Sequence, residues 1–247
     1  MTSGTMLPWD VEDLVFDETR FSGVARLFPL PDLVMFPHVM QPLHIFEPRY
    51  REMLNDALDS DGLIAMSVLA PGWEAQYEGR PAILPQVCLG KIATHQRLDD
   101  GRYNLMLLGM RRARVVAELP ATRAFRQAEV EVLDDLYPTA GEANRGEVQR
   151  ELSRRFQQAL PLKKGAKGHG PVHKLLSCEL PLGVLTDLVS FALPLPMPLK
   201  LKLLAECDVD RRAALLLHSL GEQPAAAAPA GQRAAKPTGF PPRFSCN

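Results

Sequence analysis

The segment QPLHIFEPRYREML, residues 41–54, concentrates ionisable and aromatic side chains within a few positions. His44 and Glu47 are three residues apart, a spacing that on a helix would place both on one face, where they could hold a metal. Pro48 argues against this arrangement, because proline favours the first position of a helix and has no N–H to lose there. We therefore predict that a strand carrying His44 leads through Glu47 into a helix that begins at Pro48.

One side of the helix predicted after Pro48 should pack against an apolar core. Glu47 would lie near its positive end, within reach of Arg49 or Arg51, and would form a stabilising local ion pair there. Arg51 and Asn55 should face outward. Apolar residues recur along the segment at intervals of three and four, the spacing of a core-facing stripe: Tyr50, Met53, Leu54, Ala57 and Leu58. This pattern favours a structural junction over a metal or acid–base site.

Composition limits the classes of function. The 247-residue chain is 46% hydrophobic and 23% charged, which is ordinary for a water-soluble globular protein. Its formal net charge of −1 provides no general attraction to nucleic acids or anionic membranes. The four cysteines form no C-x-x-C pair, the N-terminus lacks a signal-peptide pattern, and no apolar run is long enough to span a bilayer. We expect a cytoplasmic protein with reduced thiols.

Patterning along the chain divides it into four regions. Residues 1–24 form an acidic arm whose apolar residues should fasten it to the domain: Leu7, Trp9, Leu14, Val15 and Phe16. Residues 25–136 are rich in short apolar runs, with one helix near 48–58. Residues 142–220 change to a helical period. Residues 221–247 form a low-complexity tail that we expect to be largely disordered and that ends in FPPRFSCN.

The 25–136 region has the pattern of a small β-barrel. Prolines interrupt its first runs, so those strands must be short, bent or at an edge. The Asp100-Gly101 turn joins the runs 87–98 and 102–109 into a hairpin, and a further run follows at 112–119. In 125–133, Ala128, Val130 and Val132 alternate with polar residues, as in a strand with one buried face. Short strands at this spacing predict a closed or nearly closed barrel.

The 142–220 region predicts several helices. Val148, Leu152, Phe156 and Leu160 recur every four residues in the first. Three more segments are expected at 171–179, 182–193 and 197–206. A last helix, 208–220, should open with Asp208 as N-cap and close before Gly221.

Three motifs invite functional interpretations that the residues support poorly. The basic loop KKGAKGHG (163–170) could cradle an anion, but it is not a nucleotide-binding P-loop. Arg111, Arg112 and Arg114 could contact RNA, yet exposed aromatics and a basic surround are missing from the pattern. Ser177 lies near Lys174, but nothing around it matches a nucleophile motif, and a hydrolase relying on Ser177 or His44 is the weakest alternative.

Three stretches resemble the N-terminal, substrate-binding domain of Lon proteases. They are residues 27–54, which contain the opening segment, the hairpin region 89–115, and the more weakly matching 180–220. The resemblance implies an α+β fold: a small PUA-like β-barrel of the Lon N-terminal type followed by a C-terminal helical bundle. The residues that carry the motif are Pro42, His44, Phe46, Glu47, Pro48, Arg49, Tyr50, Gly109 and Arg112.

The resemblance also implies a function. The chain is similar to stand-alone, single-domain members that lack the ATPase and protease domains, so neither activity is carried over. We expect a non-enzymatic module, without catalytic residues, cofactor or metal, that binds unfolded or degron-bearing polypeptides or acts as an adaptor. A separate protease or chaperone is a possible partner; RNA binding is the alternative from another class. Apolar residues near the first strands are the expected peptide contacts, although core packing also accounts for each: Leu30, Leu33, Met35, Phe36, Val39 and Met40.

Overall fold

The computed structural model describes residues 15–76, 79–159 and 180–222. The basic loop 163–170, the predicted helix 171–179, Ser177, Leu160, the first fourteen residues and the C-terminal tail with FPPRFSCN lie outside the described residues. The strands are β1 (Val24–Leu30), β2 (Met40–Ile45), β3 (Leu63–Val68), β4 (Gln86–Arg97), β5 (Tyr103–Glu118) and β6 (Arg126–Leu133).

Five of the six strands pair in a closed circuit. β1 runs parallel to β3 and antiparallel to β6, while β3 pairs with β4, β4 with β5, and β5 with β6, all antiparallel. This circuit agrees with the predicted small barrel, since each of its strands has a partner on both sides. β2 stands outside the circuit and pairs with the first part of β5, from Tyr103 to Leu108.

Alternation along the strands separates two apolar cores. Every strand of the circuit contributes to a cluster of small and branched side chains inside it: Ala25, Leu27, Ala65, Val87, Leu89, Ala113, Ala128 and Val130. Their neighbours face outward; Phe28 and Cys88, for example, belong to a larger core shared with the helices. The predicted alternation of 128, 130 and 132 is confirmed, with Glu129 and Glu131 exposed.

The prolines occupy positions where no ladder bond is lost. Pro29 of β1 lies opposite Ser67 of β3. On the other side of β1, the pairing with β6 ends at Leu27, so no strand there requires a backbone N–H from Pro29. Pro42 lies in β2, which pairs only with β5 among the described strands. β2 lies at an edge of the sheet, as the proline-interrupted run predicts, whereas β1 has seven residues and is not a short strand.

The described residues contain five α-helices: α1 (Pro48–Leu58), α2 (Arg145–Ala159), α3 (Leu182–Ala192), α4 (Met197–Ala205) and α5 (Val209–Glu222). α1 begins at Pro48 as predicted and buries Tyr50, Met53, Leu54 and Ala57. Asp208 caps α5, because its Oδ1 accepts hydrogen bonds from the backbone N–H groups of Asp210 and Arg211 at 2.9 and 3.1 Å.

Two boundaries differ from the sequence prediction. The runs 102–109 and 112–119 form one continuous strand, β5, which exchanges its partner β2 for β6 between Leu108 and Arg112. α5 does not close before Gly221 but continues to Glu222, since Gly221 does not adopt the positive φ of a left-handed C-cap.

The described end of the acidic arm lies against the barrel. Phe16 and Phe21 pack on the inner cluster, and the guanidinium of Arg111 lies 5.7 Å from the centre of the Phe16 ring. Val15 remains 64% exposed, so Phe16 rather than Val15 makes the apolar attachment.

Gly109 fixes the loop between β1 and β2. Its N–H donates to the Val39 carbonyl and its own carbonyl accepts from the His38 N–H, both at 2.8 Å. A Cβ at this position would overlap the carbonyl oxygen of Phe36. His38 itself has a φ of 64°, so the loop makes its tight turn here.

Gly109→Ala should therefore destabilise the protein by about 1–3 kcal/mol, because backbone must move to admit the methyl group. Gly146→Ala is the matched control, since a methyl group added there in α2 would meet no atom within 4 Å and alanine favours a helix. Urea unfolding of both variants checks this. Equal stabilities for the two would contradict the role given to Gly109.

Candidate functional site

The opening segment forms a structural junction. The Arg49 guanidinium contacts the Glu47 carboxylate at 2.8 Å, as the predicted local pair requires. His44 lies on β2 with its Nδ1 2.7 Å from Asn104 Oδ1 and its Nε2 3.3 Å from an Arg102 guanidinium nitrogen. Across 15–76, 79–159 and 180–222, no group of three or more His, Cys, Asp and Glu side chains could hold a metal.

A buried ionic cluster joins the barrel to the helices. Arg112 of β5 donates to Asp187 Oδ1 of α3 at 2.6 Å and approaches Asp135, which follows β6, at 3.2 Å. Arg212 of α5 donates to both oxygens of Asp135 at 3.0 and 2.6 Å and to Thr186 Oγ1 at 2.8 Å. Arg112, Arg212 and Asp187 are each no more than 1% exposed. Four elements therefore depend on one set of charges.

The two carboxylates of the cluster respond differently to their surroundings. Burial raises the pKa of Asp187, an effect that Arg112 and Arg212 only partly offset. Burial would also raise the pKa of Asp135, but its hydrogen bond from Arg212 and the charge of Arg112 outweigh burial and lower that pKa. The pKa of Asp187 therefore lies above its ordinary value and that of Asp135 below it.

Sequence reasoning named only Arg112 of this cluster, through the family resemblance and as one of three neighbouring arginines. Asp187 interrupts the apolar run LGVLTDLVSFA, and Arg212 precedes the apolar run AALLL. A single charge within a core-facing helix is the signal that could have identified Asp187, because such charges are buried only when paired. Arg212 directly follows Asp210 and Arg211, so the sequence does not mark it in this way.

Asp187→Ala should cost about 3–5 kcal/mol of unfolding free energy, because it leaves buried arginine charge uncompensated. Glu131→Ala is the matched control: it removes the carboxylate that pairs with Arg114 at 2.5 Å on the exposed surface and should cost less than about 1 kcal/mol. Chemical denaturation measures both. A loss for Asp187→Ala as small as that for Glu131→Ala would refute the structural role of the cluster.

His38, an exposed residue of the β1–β2 loop, interacts electrostatically with the four charges of this cluster. Burial lowers the pKa of its imidazole below the ordinary value; the carboxylates of Asp187 and Asp135 act in the opposite direction, and the Arg112 and Arg212 charges add to the lowering. The folded protein therefore binds a proton at His38 less readily than the unfolded chain does. The stability due to neutral His38 is present above the unfolded pKa of about 6.5 and is lost as pH falls below it.

His38→Asn should reduce the loss of stability between about pH 8 and about pH 5, since asparagine tolerates positive φ and does not titrate. Urea unfolding at both pH values compares the variant with the parent. An unchanged difference between the two pH values would show that His38 does not contribute to the pH dependence.

The predicted peptide contacts divide by accessibility. Met35, Phe36 and Val39 are 1%, 0% and 4% exposed and belong to the larger core, so their side chains are closed to a ligand in this conformation. Leu30 and Leu33 are half-buried at the margin of that core, and Met40 is 37% exposed. Peptide binding by these residues stays a prediction, with Leu30, Leu33 and Met40 as its accessible members.

The outer edge of β2 is poorly suited to adding a strand. The Val39 carbonyl accepts a hydrogen bond from Gly109 of β5, so the backbone groups of Val39 face β5. Because successive residues of a strand face opposite sides, the backbone N–H and C=O groups of Met40, Pro42 and His44 point away from β5. Pro42 has no N–H at the centre of this edge, and Gln41 Nε2 donates to the Pro42 carbonyl at 2.9 Å. A continuous ladder with an incoming peptide is therefore interrupted in the middle.

The arginines proposed for RNA contact are largely committed to other partners. Arg112 is buried in the ionic cluster, Arg114 pairs with Glu131, and Arg111 lies over Phe16 with Glu18 at 4.0 Å. The strand therefore does not present three free cations to a phosphate backbone. Two other motif residues make contacts within the fold, His44 with Asn104 and Gly109 with the β1–β2 loop, while a structural role for the motif as a whole stays a prediction.

The fold and motif match a known family. The family model for the substrate-binding domain of ATP-dependent protease La (LON) matches residues 24–222. The chain therefore belongs to the Lon substrate-binding domain family.

Individual relatives agree with this assignment. The chain is 32% identical over 198 residues to Lon protease 2 of Desulfotalea psychrophila, covering 80% of this chain and 25% of the relative. It is 28% identical over 118 residues to Lon protease 2 of Syntrophobacter fumaroxidans, covering 47% of this chain and 15% of the relative. The chain thus spans about a quarter or less of the curated relatives it matches.

Solved structures show the same fold. The Lon N-terminal domain protein from Xanthomonas campestris matches with a TM-score of 0.56 at 23% identity, covering 79% of this chain and 97% of that one. The N-terminal domain of the Mycobacterium avium complex Lon protease matches with a TM-score of 0.62 at 17% identity, covering 81% and 98%. The α+β fold of the Lon N-terminal type is confirmed; neither match tests the PUA-like comparison, which stays a prediction.

None of the described helices is both long enough and apolar enough to span a membrane.

Proposed function

We propose that this chain is a non-catalytic recognition module that binds exposed apolar segments of unfolded or degron-bearing polypeptides. The observation that carries the proposal is the match of residues 24–222 to a substrate-binding domain family. The proposed location of the contact is an apolar margin made of the accessible residues Leu30, Leu33 and Met40, which end β1, lie in the loop fixed by Gly109 and begin β2. A rigid loop loses little conformational entropy when it binds.

Binding at this margin would depend on side chains rather than on a new strand. The interrupted edge of β2 disfavours a continuous ladder, whereas apolar side chains of an extended polypeptide can be buried against Met40 and Leu33 without one. Such contacts are tolerant of sequence, which suits a module that meets many unfolded segments.

The proposed setting is the cytoplasm, with a protein quality-control role as an adaptor. The curated relatives are Lon proteases. A separate ATP-dependent protease or a chaperone is therefore the partner that we propose would receive the bound polypeptide. This role asks for no ATP hydrolysis and no peptide-bond chemistry from the module itself.

Met40→Glu should weaken binding of a permanently unfolded polypeptide about tenfold, because burying a carboxylate against apolar segments is unfavourable. The measurement is fluorescence anisotropy of labelled, reduced and carbamidomethylated lactalbumin titrated with the purified protein.

Val116→Glu is the matched control for this measurement. Val116 is 63% exposed and lies in β5 beyond the segment that pairs with β2. The substitution therefore introduces the same charge away from the proposed contact. The proposal expects parental affinity from this variant. Absence of saturable binding by the parent would sink the function, and equal losses in both variants would sink the assigned surface.

A further inference from the structure

A pocket lies between the outward face of α1 and the end of the β4–β5 hairpin. Its volume is about 290 Å³, which suits a single side chain or chain terminus rather than a large ligand. α1 contributes residues at helical spacing, and the hairpin closes the other side. The lining residues are Pro48, Arg51, Glu52, Asn55, Arg97, Gly101 and Tyr103.

Two arginines in this pocket lack carboxylate partners. Elsewhere in the described chain, Arg26, Arg114 and Arg126, for example, each contact a carboxylate at 2.5 Å. Among the same residues, neither Arg51 nor Arg97 has a carboxylate oxygen within ion-pair distance. Two arginines that line one pocket, neither of them in ion-pair contact with a carboxylate, can accept an anion from outside the chain.

Neighbouring contacts hold these arginines at the pocket. An Arg51 guanidinium nitrogen donates to the Gly101 carbonyl at 3.4 Å, and the Arg97 guanidinium lies 6.0 Å from the centre of the Tyr103 ring. Gly101 makes its turn with a φ of 79°. The Tyr103 hydroxyl donates to Asn55 Oδ1 at 3.1 Å, and Asn55, which also lines the pocket, has an amide nitrogen that can donate. The side chains at the site thus supply hydrogen-bond donors.

Glu52 limits the charge of the anion that fits. Its carboxylate shares the lining with Arg51 and Arg97, so the three side chains together carry a formal charge of +1. A single carboxylate balances this charge, whereas a dianionic phosphate would leave an excess beside Glu52. The pocket size and charge therefore agree on a monoanionic group.

We infer that this pocket binds one carboxylate of a polypeptide, with Arg51 and Arg97 as its ligands and Asn55 as an additional donor. The inference rests on the proposed function and adds a polar specificity site to it. The carboxylate can come from the chain terminus or from an Asp or Glu side chain, because both present the same planar pair of oxygens to a guanidinium.

Peptide binding measured by fluorescence anisotropy tests the site and separates the two sources. The first pair is one labelled apolar peptide without acidic side chains, made once with a free and once with an amidated C-terminus. The second pair is the same peptide with an amidated C-terminus and one internal residue that is either Glu or Gln. At least one acidic peptide should bind about tenfold more tightly than its neutral counterpart, and the pair that shows the difference identifies the source. Arg51→Gln and Arg97→Gln should each remove the preference.

Arg150→Gln is the matched control, because Arg150 is an exposed arginine on α2 outside the pocket, and this variant should keep the preference. Thermal unfolding of each variant verifies that the fold persists. Because Arg97 is exposed, Arg97→Gln should fold normally and still tests the site if Arg51→Gln does not fold. Equal binding of acidic and neutral peptides overturns the carboxylate site and leaves the proposed function standing. Absence of binding by every peptide overturns both.

Discussion

The ion pair between Arg112 and Asp187 is the interaction on which the rest of the structure depends. It connects a barrel strand to a helix across 75 residues of sequence, and Arg212 with Asp135 extends it to α5 and the segment after β6. Because every member is buried or largely buried, none can lose its partner without leaving a charge out of water. The barrel and the helices are consequently held in one relative position.

This fixed arrangement supports the proposed recognition role. The loop from β1 to β2 is anchored at Gly109, close in sequence to Arg112, and it carries Leu33 and leads into Met40. The pocket beside α1 lies on the same scaffold, framed by the hairpin end at Gly101. An apolar margin and a polar pocket on a rigid support could together recognise an unfolded segment by its composition and by one charge.

Local features of the fold were predictable from sequence, and long-range ones were not. Pro48 sets a helix start and Asp100-Gly101 a hairpin through their own backbone chemistry, so neighbours in sequence suffice. The parallel pairing of β1 with β3 and the continuity of β5 through Gly109 depend on contacts between distant residues. Asp187 and Arg112 meet for the same reason, and no sequence pattern paired them.

The candidate contacts illustrate the same limit. Phe36 is fully buried and Met40 is 37% exposed, although both belong to one apolar run. Sequence pattern alone does not separate them, because burial depends on how distant segments pack in the folded core. Arg51 was predicted to face outward, yet nothing in sequence places Arg97 opposite it. A pocket made from a helix face and a hairpin end exists only in the folded chain.

A double-mutant cycle between Arg112 and Asp187 tests whether this buried ion pair stabilises the fold as a unit. Unfolding free energies are measured for the parent, Arg112→Met, Asp187→Ala and the double variant. We expect the double variant to be more stable than either single variant, because it lacks both charges and keeps Arg212 paired with Asp135. Losses that simply add in the double variant would contradict it.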